Sequence, residues 1–592
     1  MRHHCRSIGV LIAFLLLGAH AAEGQKKQLQ IVYTVELADP ATQQFHVTTI
    51  IRNIDQPKLD LSLPVWAPGW YTIENYAKNL LRFRITDASG KQLPHTMSRK
   101  QTWSVGTRGI NEIHVDYDYR AMVLALNQAK ITKDFAFFTG VELFLQPEGH
   151  RDEPSEVRFS IPTGWKIVTA LKETNDPLIF SAPNYDVLVD APVELGNFDV
   201  TRFEVEGKPH YFVATPAAAF SKQKSENFIQ MLTKIATAEG AIFGGLPYEK
   251  YVYFYFFAPA ESNASGGLEH LNSFVSFSSP GGTAQPEQLV GGAAHEFFHL
   301  WNVKRIRPAE MWPYDYSREN ETLLLWVSEG FTNYYGIVGQ LRAGLLTPDA
   351  FVQRAALAAN SIENTPVRNY ISPAEASIST WIGYDTPVAF GISYYTQGQN
   401  IAALLDLSIR QDTNGRSSLD DVMRALYNDH YKKGRGFTTE DMIQIVNRLT
   451  NRDYHEFYRK YVFSTEVPDY DRIWGYAGYK VEKRTQQLSL FGFTIRNAGG
   501  VLTVAQVDAN SSASKAGVQI DDVLLKVNGS PLQAVQLNSF AGKAITLTVR
   551  RGSNEIDLPI TVGVRNIENY SFASVPQPSE LQLRIREGWL KH

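Results

Sequence analysis

The chain has 592 residues, with 57 basic and 61 acidic side chains and a formal net charge of −4. This near balance argues against a nucleic-acid-binding protein, which normally carries a strong basic excess. Hydrophobic residues make up 44% of the chain and charged residues 20%, which excludes a disordered composition. The length predicts roughly three to four domains.

The first residues have the features of an export signal. Arg2 and Arg6 give the first residues a positive charge, and an apolar run follows over residues 8–17. Residues 19–21 have the small-x-small pattern of a cleavage site. The run is shorter than the ~20 residues that span a bilayer. We therefore predict a signal peptide over residues 1–21 and a bacterial periplasmic or secreted protein, with no stable membrane insertion after cleavage. An uncleaved membrane anchor is the alternative.

The chain contains a single cysteine, Cys5, which lies within this signal. A mature chain without cysteine can form no disulfide, thiol nucleophile or thiolate metal ligand. Any metal site must therefore use His, Asp or Glu.

The pattern along the chain changes twice. Residues 28–205 alternate between apolar and polar side chains and are rich in β-branched residues, which predicts an antiparallel β domain. Residues 206–475 contain a buried strand, YVYFYFF, followed by long helical patterns, which predicts a mainly helical region behind a small sheet. Strands return over residues 478–563, and a polar tail with an amphipathic end covers residues 564–592.

The stretch HEFFH places His295 and His299 four residues apart. On a helix these positions share a face, so both imidazoles can bind one metal ion. Glu296 lies about 100° further round the helix, where a carboxylate can take a proton from a water that the metal activates. The pattern predicts a zinc site. The alternative is a buried helix with a satisfied histidine.

A catalytic zinc needs a third protein ligand and one open position. Glu329 is a candidate because it lies within an apolar run over residues 323–335, where an unpaired carboxylate is costly to bury. The alternative is an exposed acid at a helix end. Asn333, four residues later, could orient a ligand imidazole through its second nitrogen.

The motifs around these residues resemble a known family. His295-Glu296-x-x-His299 followed by Ser-Glu-Gly-Phe at residues 328–331 resembles the gluzincin, or thermolysin-like, metallopeptidases. HEFFHLWNVKRIRP and the segment PVWAPGWYTIENYAKNLLRF resemble the glycyl aminopeptidase family in particular. The resemblance extends from about residue 28 to beyond residue 560.

The resemblance implies a multidomain fold: an N-terminal antiparallel β domain, a mainly helical thermolysin-like catalytic domain of the α+β class, and a C-terminal PDZ β domain. It implies one Zn²⁺ per chain, bound by His295, His299 and Glu329, with Glu296 as the catalytic base. It also implies cleavage after small N-terminal residues, Gly or Ala.

The segment Gly266-Gly267-Leu268-Glu269-His270 resembles an edge strand that binds substrate in related aminopeptidases. There, a glutamate at the position of Glu269 binds the free α-amino group, and the strand backbone at Gly266 and Gly267 can pair with the peptide. The alternative is a glycine-rich surface loop. His270 either supports the site or packs.

The family's catalytic tyrosine, which stabilises the oxyanion, aligns with Tyr395. Thr396-Gln397-Gly398 follows it, with Gln397 where lysine is usual. Tyr394 is the competing candidate, and the alternative is that both rings only pack at a helix start.

Leu-Phe-Gly-Phe at residues 490–493 resembles the carboxylate-binding loop of PDZ domains. Gly492 and Phe493 would offer backbone amides to a C-terminal peptide ligand. A basic cluster after the zinc motif is either a solvated surface or a contact for a substrate carboxylate; it consists of Lys304, Arg305 and Arg307.

We therefore predict a zinc aminopeptidase that acts on peptides with a free N-terminus. One alternative is a zinc endopeptidase whose PDZ domain delivers the substrate. Another is a catalytically inactive PDZ binding protein.

Overall fold

The computed structural model describes residues 28–257, 266–278, 285–383, 392–532 and 537–591. The predicted signal peptide and Cys5 lie outside these residues. Within the described part of the chain, no helix combines the length and the apolar character needed to cross a membrane.

The N-terminal region is built from short strands whose side chains alternate between the core and the surface. In order, its elements are β1 (Gln30–Glu36), β2 (Gln44–Arg52), β3 (Lys58–Ser62), β4 (Leu80–Asp87), β5 (His95–Arg99), β6 (Thr102–Gly106), β7 (Glu112–Arg120), β8 (Met122–Ala125), β9 (Gln128–Ile131), β10 (Phe135–Thr139), α1 (Gly140–Leu143), β11 (Gln146–Pro147), β12 (Ser155–Ser160), β13 (Lys166–Thr169), β14 (Lys172–Glu173), β15 (Ile179–Ala182), α2 (Tyr185–Val189) and β16 (Pro192–Gly196).

These strands form three sheets, with the orders β14-β15-β12-β1-β2-β7-β4, β13-β16-β10-β9-β8 and β11-β3-β6-β5. The pairing is antiparallel except between β1 and β12, which run parallel. In β2, one face of the strand is buried, as expected for a strand with one side against a core. The buried residues are 45, 47, 49 and 51. The prediction of an N-terminal β domain is confirmed. We refer to it as the β domain.

The catalytic region begins with a mixed sheet and continues with helices. Its elements are β17 (Val200–Val205), β18 (Lys208–Thr215), α3 (Lys222–Phe243), β19 (Tyr251–Phe257), β20 (Gly266–His270), β21 (Ser273–Ser278), α4 (Pro286–Phe298), α5 (Leu325–Ser328), α6 (Gly330–Arg342), α7 (Pro348–Glu363), α8 (Pro373–Ile378), α9 (Thr380–Gly383), α10 (Tyr394–Asp412), α11 (Leu419–Asp429), α12 (Thr439–Thr450), α13 (His455–Tyr461) and α14 (Tyr470–Gly475).

The sheet of this region has the order β17-β18-β19-β21-β20. All seven residues of the central strand β19 are buried, as its uninterrupted apolar sequence predicts. Strand β20 lies at an edge, with its only described partner on one side. The first strand of this sheet, β17, begins at Val200 and pairs with β18.

Helices α6 and α10 cross at a pair of glycines. A Cβ atom on Gly398 would overlap the backbone of Trp326 and Gly330, and a Cβ on Gly330 would overlap Gly398. The two backbones can therefore approach only because neither residue has a side chain. This contact holds the first turn of α10, with its two tyrosines, beside the residue that precedes α6, Glu329.

The last region forms a sheet with the order β23-β24-β25-β27-β28, and a separate ribbon, β22-β29. Its elements are β22 (Tyr479–Leu490), β23 (Phe493–Ala498), β24 (Val501–Val507), α15 (Ser512–Ala516), β25 (Val523–Val527), β26 (Ser530–Pro531), β27 (Ala544–Arg551), β28 (Asn554–Thr561), β29 (Gly563–Ser574) and α16 (Glu580–Leu590). The PDZ prediction is confirmed.

The predicted tail, residues 564–592, contains ordered structure. Strand β29 pairs along its whole length with β22, and the Trp589 side chain of α16 is buried. The Trp589 indole N–H donates to the Tyr334 hydroxyl at 2.8 Å. The end of the chain is therefore part of the catalytic region's core.

Candidate active site

Helix α4 brings the two histidines of the HEFFH motif together. His299 is the first residue after the helix, and its dihedral angles are still helical. The two Nε2 atoms lie 3.0 Å apart. The His299 Nδ1 atom is 2.7 Å from the backbone oxygen of Asn302, an acceptor, so Nδ1 carries the proton and Nε2 is free to bind a metal.

Glu329 lies at the junction between α5 and α6 and is 1% exposed. Its Oε2 atom is 3.2 Å from Nε2 of His299 and 3.7 Å from Nε2 of His295. Glu329 follows His299 by 30 residues in sequence. The two are adjacent in space because α6 packs on α4.

These three residues fit a metal ion. Their donor atoms lie within 4.8 Å of one another, and Oε2 of Glu329 is buried without a hydrogen-bond partner among the described residues. Two imidazoles and one carboxylate are a donor set of catalytic zinc. A bound cation would therefore satisfy a polar atom that the protein leaves unsatisfied.

The prediction that Asn333 orients a ligand imidazole finds weak support at His295 only. Asn333 raises the pKa of His295, an effect smaller than the lowering by burial and by His299. However, His295 Nδ1 makes no hydrogen bond of good geometry to any described residue. The role of Asn333 stays a prediction.

Glu296 points from α4 towards the edge strand β20. A Cβ on Gly267 would overlap the Glu296 carboxyl group, so the glycine is what allows this side chain to lie against the strand. Burial raises the pKa of Glu296 to about 8, with further contributions from the carboxylates of Glu269 and Glu329. A carboxylate with a raised pKa beside a metal site is suited to accept and return a proton.

Glu269 lies on β20 and its carboxylate meets the same site. A donor atom from each of Glu269, Glu296 and His299 lies within 4.8 Å of the other two. Burial and the carboxylate of Glu329 raise the pKa of Glu269 to about 7, against the opposing effect of His299. The Gly-Gly-Leu-Glu-His segment is therefore a strand beside the metal ligands and not a surface loop.

The β domain covers Glu269 on one side. Gly69 has a φ of +96°, and a Cβ there would lie 2.6 Å from both carboxylate oxygens of Glu269. Glycine is required at this position both for its backbone conformation and for the close approach. Gly69 belongs to the segment that carried the family resemblance at the N-terminal end of the sequence.

The two tyrosines of α10 are stacked on each other, with ring centroids 4.9 Å apart. The Tyr395 ring is the one that lies beside the metal ligands, 6.0 Å from the imidazole of His295. The Tyr394 hydroxyl lies 3.1 Å from the Thr380 hydroxyl. The geometry favours Tyr395 over Tyr394 as the group that reaches the reacting carbonyl.

Sequence reasoning missed Tyr71. This fully buried residue of the β domain donates a hydrogen bond of 3.3 Å from its hydroxyl to Oε1 of Glu329. The segment around it was singled out by resemblance, but nothing in its pattern indicates a contact with a residue 258 positions away.

The basic cluster after the motif is structural. Lys304 and Arg305 are buried, so the hypothesis of a solvated surface is wrong for both. The Arg305 guanidinium donates to backbone oxygens of three loops and to the side chain of Asn272. Arg307 stacks over the Tyr314 ring, 4.1 Å from its centroid.

In the PDZ region, Gly492 has a φ of +79° and immediately precedes β23. Strand β23 is an edge strand of the described sheet. Its backbone, starting at Phe493, is therefore placed for the strand addition by which PDZ domains bind C-termini.

Three family profiles match the chain: the peptidase M61 N-terminal domain over residues 32–197, the M61 glycyl aminopeptidase over residues 288–401, and the PDZ domain over residues 480–559. No curated protein sequence matches it.

Among solved structures, an aminopeptidase N family protein from Idiomarina loihiensis has a TM-score of 0.82 at 23% identity, with 95% of this chain and 100% of that chain covered. An M1 zinc metallopeptidase from Deinococcus radiodurans has a TM-score of 0.47 at 14% identity, covering 75% of this chain and 96% of that one. Yeast LTA4 hydrolase has a TM-score of 0.46 at 14% identity, covering 75% and 68%.

The convergent His-His-Glu set, the adjacent Glu296 and the matched peptidase profile define the protein as a zinc metallopeptidase. The M61 N-terminal and catalytic profiles match in the order expected, and a PDZ domain follows them. The chain therefore carries an M61 N-terminal domain, an M61 glycyl aminopeptidase domain and a PDZ domain.

Proposed function

We propose that the protein is an aminopeptidase that removes the first residue from peptides with a free α-amino group. The observation that carries the proposal is the position of Glu269, a buried carboxylate on the edge strand β20 beside the metal ligands.

The charges of the site support this substrate. Glu269, Glu296 and Glu329 are buried around two imidazoles, and one divalent cation would leave a net charge of −1 when all three are ionised. A buried charge needs a partner, and an α-ammonium group supplies one positive charge. An acetylated peptide supplies none, so the site favours the free N-terminus over the blocked one.

The shape of the site supports the same conclusion. The backbone at Gly69 lies directly against the Glu269 carboxylate and leaves no room for a substrate residue between them. A substrate strand paired with β20 at Gly266 and Gly267 would therefore end with its amino group at Glu269. An endopeptidase needs a cleft that continues past this point.

Each side chain then has a chemical role. Zinc, when bound by His295, His299 and Glu329, lowers the pKa of a water molecule and polarises the scissile carbonyl. Glu296 takes the proton of the attacking water and later passes it to the leaving amine. The Tyr395 hydroxyl donates a hydrogen bond to the oxyanion of the tetrahedral state.

Three further proposals concern substrates and location. A preference for N-terminal Gly or Ala is supported by the match to the glycyl aminopeptidase profile. Capture of a C-terminal peptide is supported by the PDZ match and by the open edge of β23. Export to the periplasm or the medium is supported by the N-terminal sequence pattern.

The test is hydrolysis of a matched pair, Gly-Ala-X peptides with a free or an acetylated N-terminus, by the zinc-loaded enzyme. Cleavage of the free peptide alone, lost in Glu296→Gln, is the expected result. Glu239→Gln is the control, because Glu239 is another buried glutamate of the catalytic region, on α3. Cleavage of the acetylated peptide would identify an endopeptidase, and no cleavage of either would contradict the proposal.

A further inference from the structure

The β domain reaches the metal ligand Glu329 through the hydroxyl group of Tyr71. Tyr71 follows Trp70 in a loop after β3, and its side chain is fully buried. Its hydroxyl donates to Oε1 of Glu329 over 3.3 Å. We define residues 65–75 as the Tyr71 loop.

The two carboxylate oxygens of Glu329 have different neighbours. Oε2 faces His299 and His295 at 3.2 and 3.7 Å, and Oε1 accepts the hydrogen bond from Tyr71. A donor on one oxygen fixes the orientation of the carboxylate plane, so that the other oxygen points to the metal position. Without it, the carboxylate could rotate about its terminal torsion, which has no sharp preferred angle.

The Tyr71 ring is itself held between two domains. It contacts the edge of Trp381, with centroids 5.7 Å apart, and Trp381 makes the same type of contact with Trp66 at 5.2 Å. The Trp66 indole N–H donates to the backbone oxygen of Asp315 in the catalytic region. These contacts fix the ring before any ligand binds.

The backbone of the Tyr71 loop is also pinned. The Val65 oxygen accepts hydrogen bonds from the N–H groups of Glu74 and Asn75 at 2.7 and 3.0 Å, and the Val65 N–H donates to Tyr316 of the catalytic region at 2.9 Å. The base of the loop is thus closed and tied to the catalytic region. Its tip carries Gly69, which lies against the Glu269 carboxylate.

From this geometry we propose that Tyr71 is a positioning residue of the active site, supplied by the β domain, which orients Glu329 for metal binding and catalysis. The proposal rests on the ligand set of the proposed function. It gives the β domain a part in the chemistry, because the domain holds a metal ligand in place and does not merely shield the catalytic region.

The experiment compares Tyr71→Phe with Tyr76→Phe and Glu329→Gln in the full chain. Tyr76 is a matched control: it is fully buried close to the same loop, and its hydroxyl lies near Glu142 in the β domain. The zinc dissociation constant of each apoprotein is measured by competition with a chromogenic chelator. The unfolding temperature is measured with and without zinc.

We expect Tyr71→Phe to raise the zinc dissociation constant about 10- to 100-fold, the usual effect of losing a residue that orients a metal ligand. The apoprotein should unfold at the temperature of the Tyr76→Phe apoprotein, but zinc should raise that temperature less. At saturating zinc, kcat should fall while KM for the free peptide stays the same.

Suppose that Glu329→Gln loses zinc, as the ligand set requires. Equal zinc affinity and equal kcat in Tyr71→Phe and Tyr76→Phe would then overturn the proposal. If Glu329→Gln binds zinc like the unmodified enzyme, the ligand set is wrong and the proposal falls with it. The two failures are therefore distinguishable.

Discussion

Asp190 of the β domain and Lys304 of the catalytic region form a buried ion pair, with Nζ 2.6 Å from Oδ1. The same carboxylate accepts the backbone N–H of Leu271 at 2.6 Å and lies 3.4 Å from Nδ1 of His270. His270 follows Glu269 as the last residue of β20, and Leu271 comes directly after the strand. Asp190 of the β domain therefore anchors two segments of the catalytic region: the chain after the zinc motif, at Lys304, and the end of strand β20.

Asp190→Asn should destabilise the protein by about 3–5 kcal/mol at pH 7, because it leaves the Lys304 ammonium buried and unpaired. Urea unfolding measures this change. Glu204→Gln is the control, since it breaks an exposed pair with Arg202 that contributes about 0–1 kcal/mol. An equal effect of the two substitutions would contradict the importance of the Asp190 pair.

The pH dependence gives a second measure of the same pair. Burial opposes ionisation of Asp190, but Lys304 and His270 outweigh it and lower the pKa to about 2, from a usual 3.8. A lowered pKa in the folded state stabilises the fold above the unfolded value, and this stabilisation is lost as the pH falls towards 2. The difference between Asp190→Asn and the unmodified protein should therefore be full at pH 7 and smaller at pH 3.

Glu269→Gln should reduce kcat/KM for peptides with a free N-terminus about 10- to 100-fold, as expected for losing charge-assisted hydrogen bonds worth about 1.5–3 kcal/mol. The amide keeps the shape of the side chain but removes its charge. The zinc affinity should be retained, and the buried control Glu239→Gln should behave like the unmodified enzyme. An unchanged kcat/KM for free peptides in Glu269→Gln would show that Glu269 does not bind the α-amino group.

Tyr395→Phe should lower kcat about 100- to 1,000-fold with little change in KM, because the lost hydrogen bond forms only in the transition state. Tyr394→Phe is the matched comparison one residue away. Its hydroxyl pairs with Thr380, so its loss should have a smaller effect on kcat. The reverse order of the two variants would assign the oxyanion contact to Tyr394.

The sequence was sufficient to predict those parts of the site that depend on the spacing of residues along one segment. His295 and Glu296 lie on α4 and His299 continues its helical geometry by one residue, so the helical repeat alone predicts where their side chains meet. Glu329 was found because an acid inside an apolar helix needs a partner. Alternating strands and a central apolar strand likewise predicted the order of the domains.

The contacts between domains could not be predicted in this way. Tyr71 and Glu329 are 258 residues apart, and Asp190 and Lys304 are 114 apart. No local period links such pairs, since their meeting depends on how two separately patterned regions pack. The same reason explains why β29 was taken for a polar tail: its partner β22 precedes the whole PDZ sheet in sequence, and the two strands form a separate ribbon.

A buried acid outside the group of metal ligands gives the last prediction. Glu194 lies on β16, between β10 and β13, and is fully buried. Its Oε1 atom accepts the Thr215 hydroxyl, and Oε2 has no hydrogen-bond partner among the described residues. Burial raises the pKa of Glu194 to about 8, from a usual 4.5. The folded protein therefore keeps this carboxyl protonated at pH 7.

In the unfolded chain Glu194 releases its proton above the usual glutamate pKa of 4.5, whereas the folded protein retains the proton. The stability supplied by Glu194 is therefore complete below pH 4.5. It is then lost as the pH rises to about 8, by about 5 kcal/mol at most, since one pKa unit corresponds to about 1.4 kcal/mol. Glu194→Gln cannot titrate. Its free energy of unfolding relative to the unmodified protein should therefore rise between pH 5 and pH 8, when both are measured by urea unfolding. The exposed variant Glu204→Gln is the control for the pH dependence that the rest of the chain contributes. If the free energy of unfolding changes with pH in parallel for Glu194→Gln and the unmodified protein, Glu194 is ionised in the folded protein.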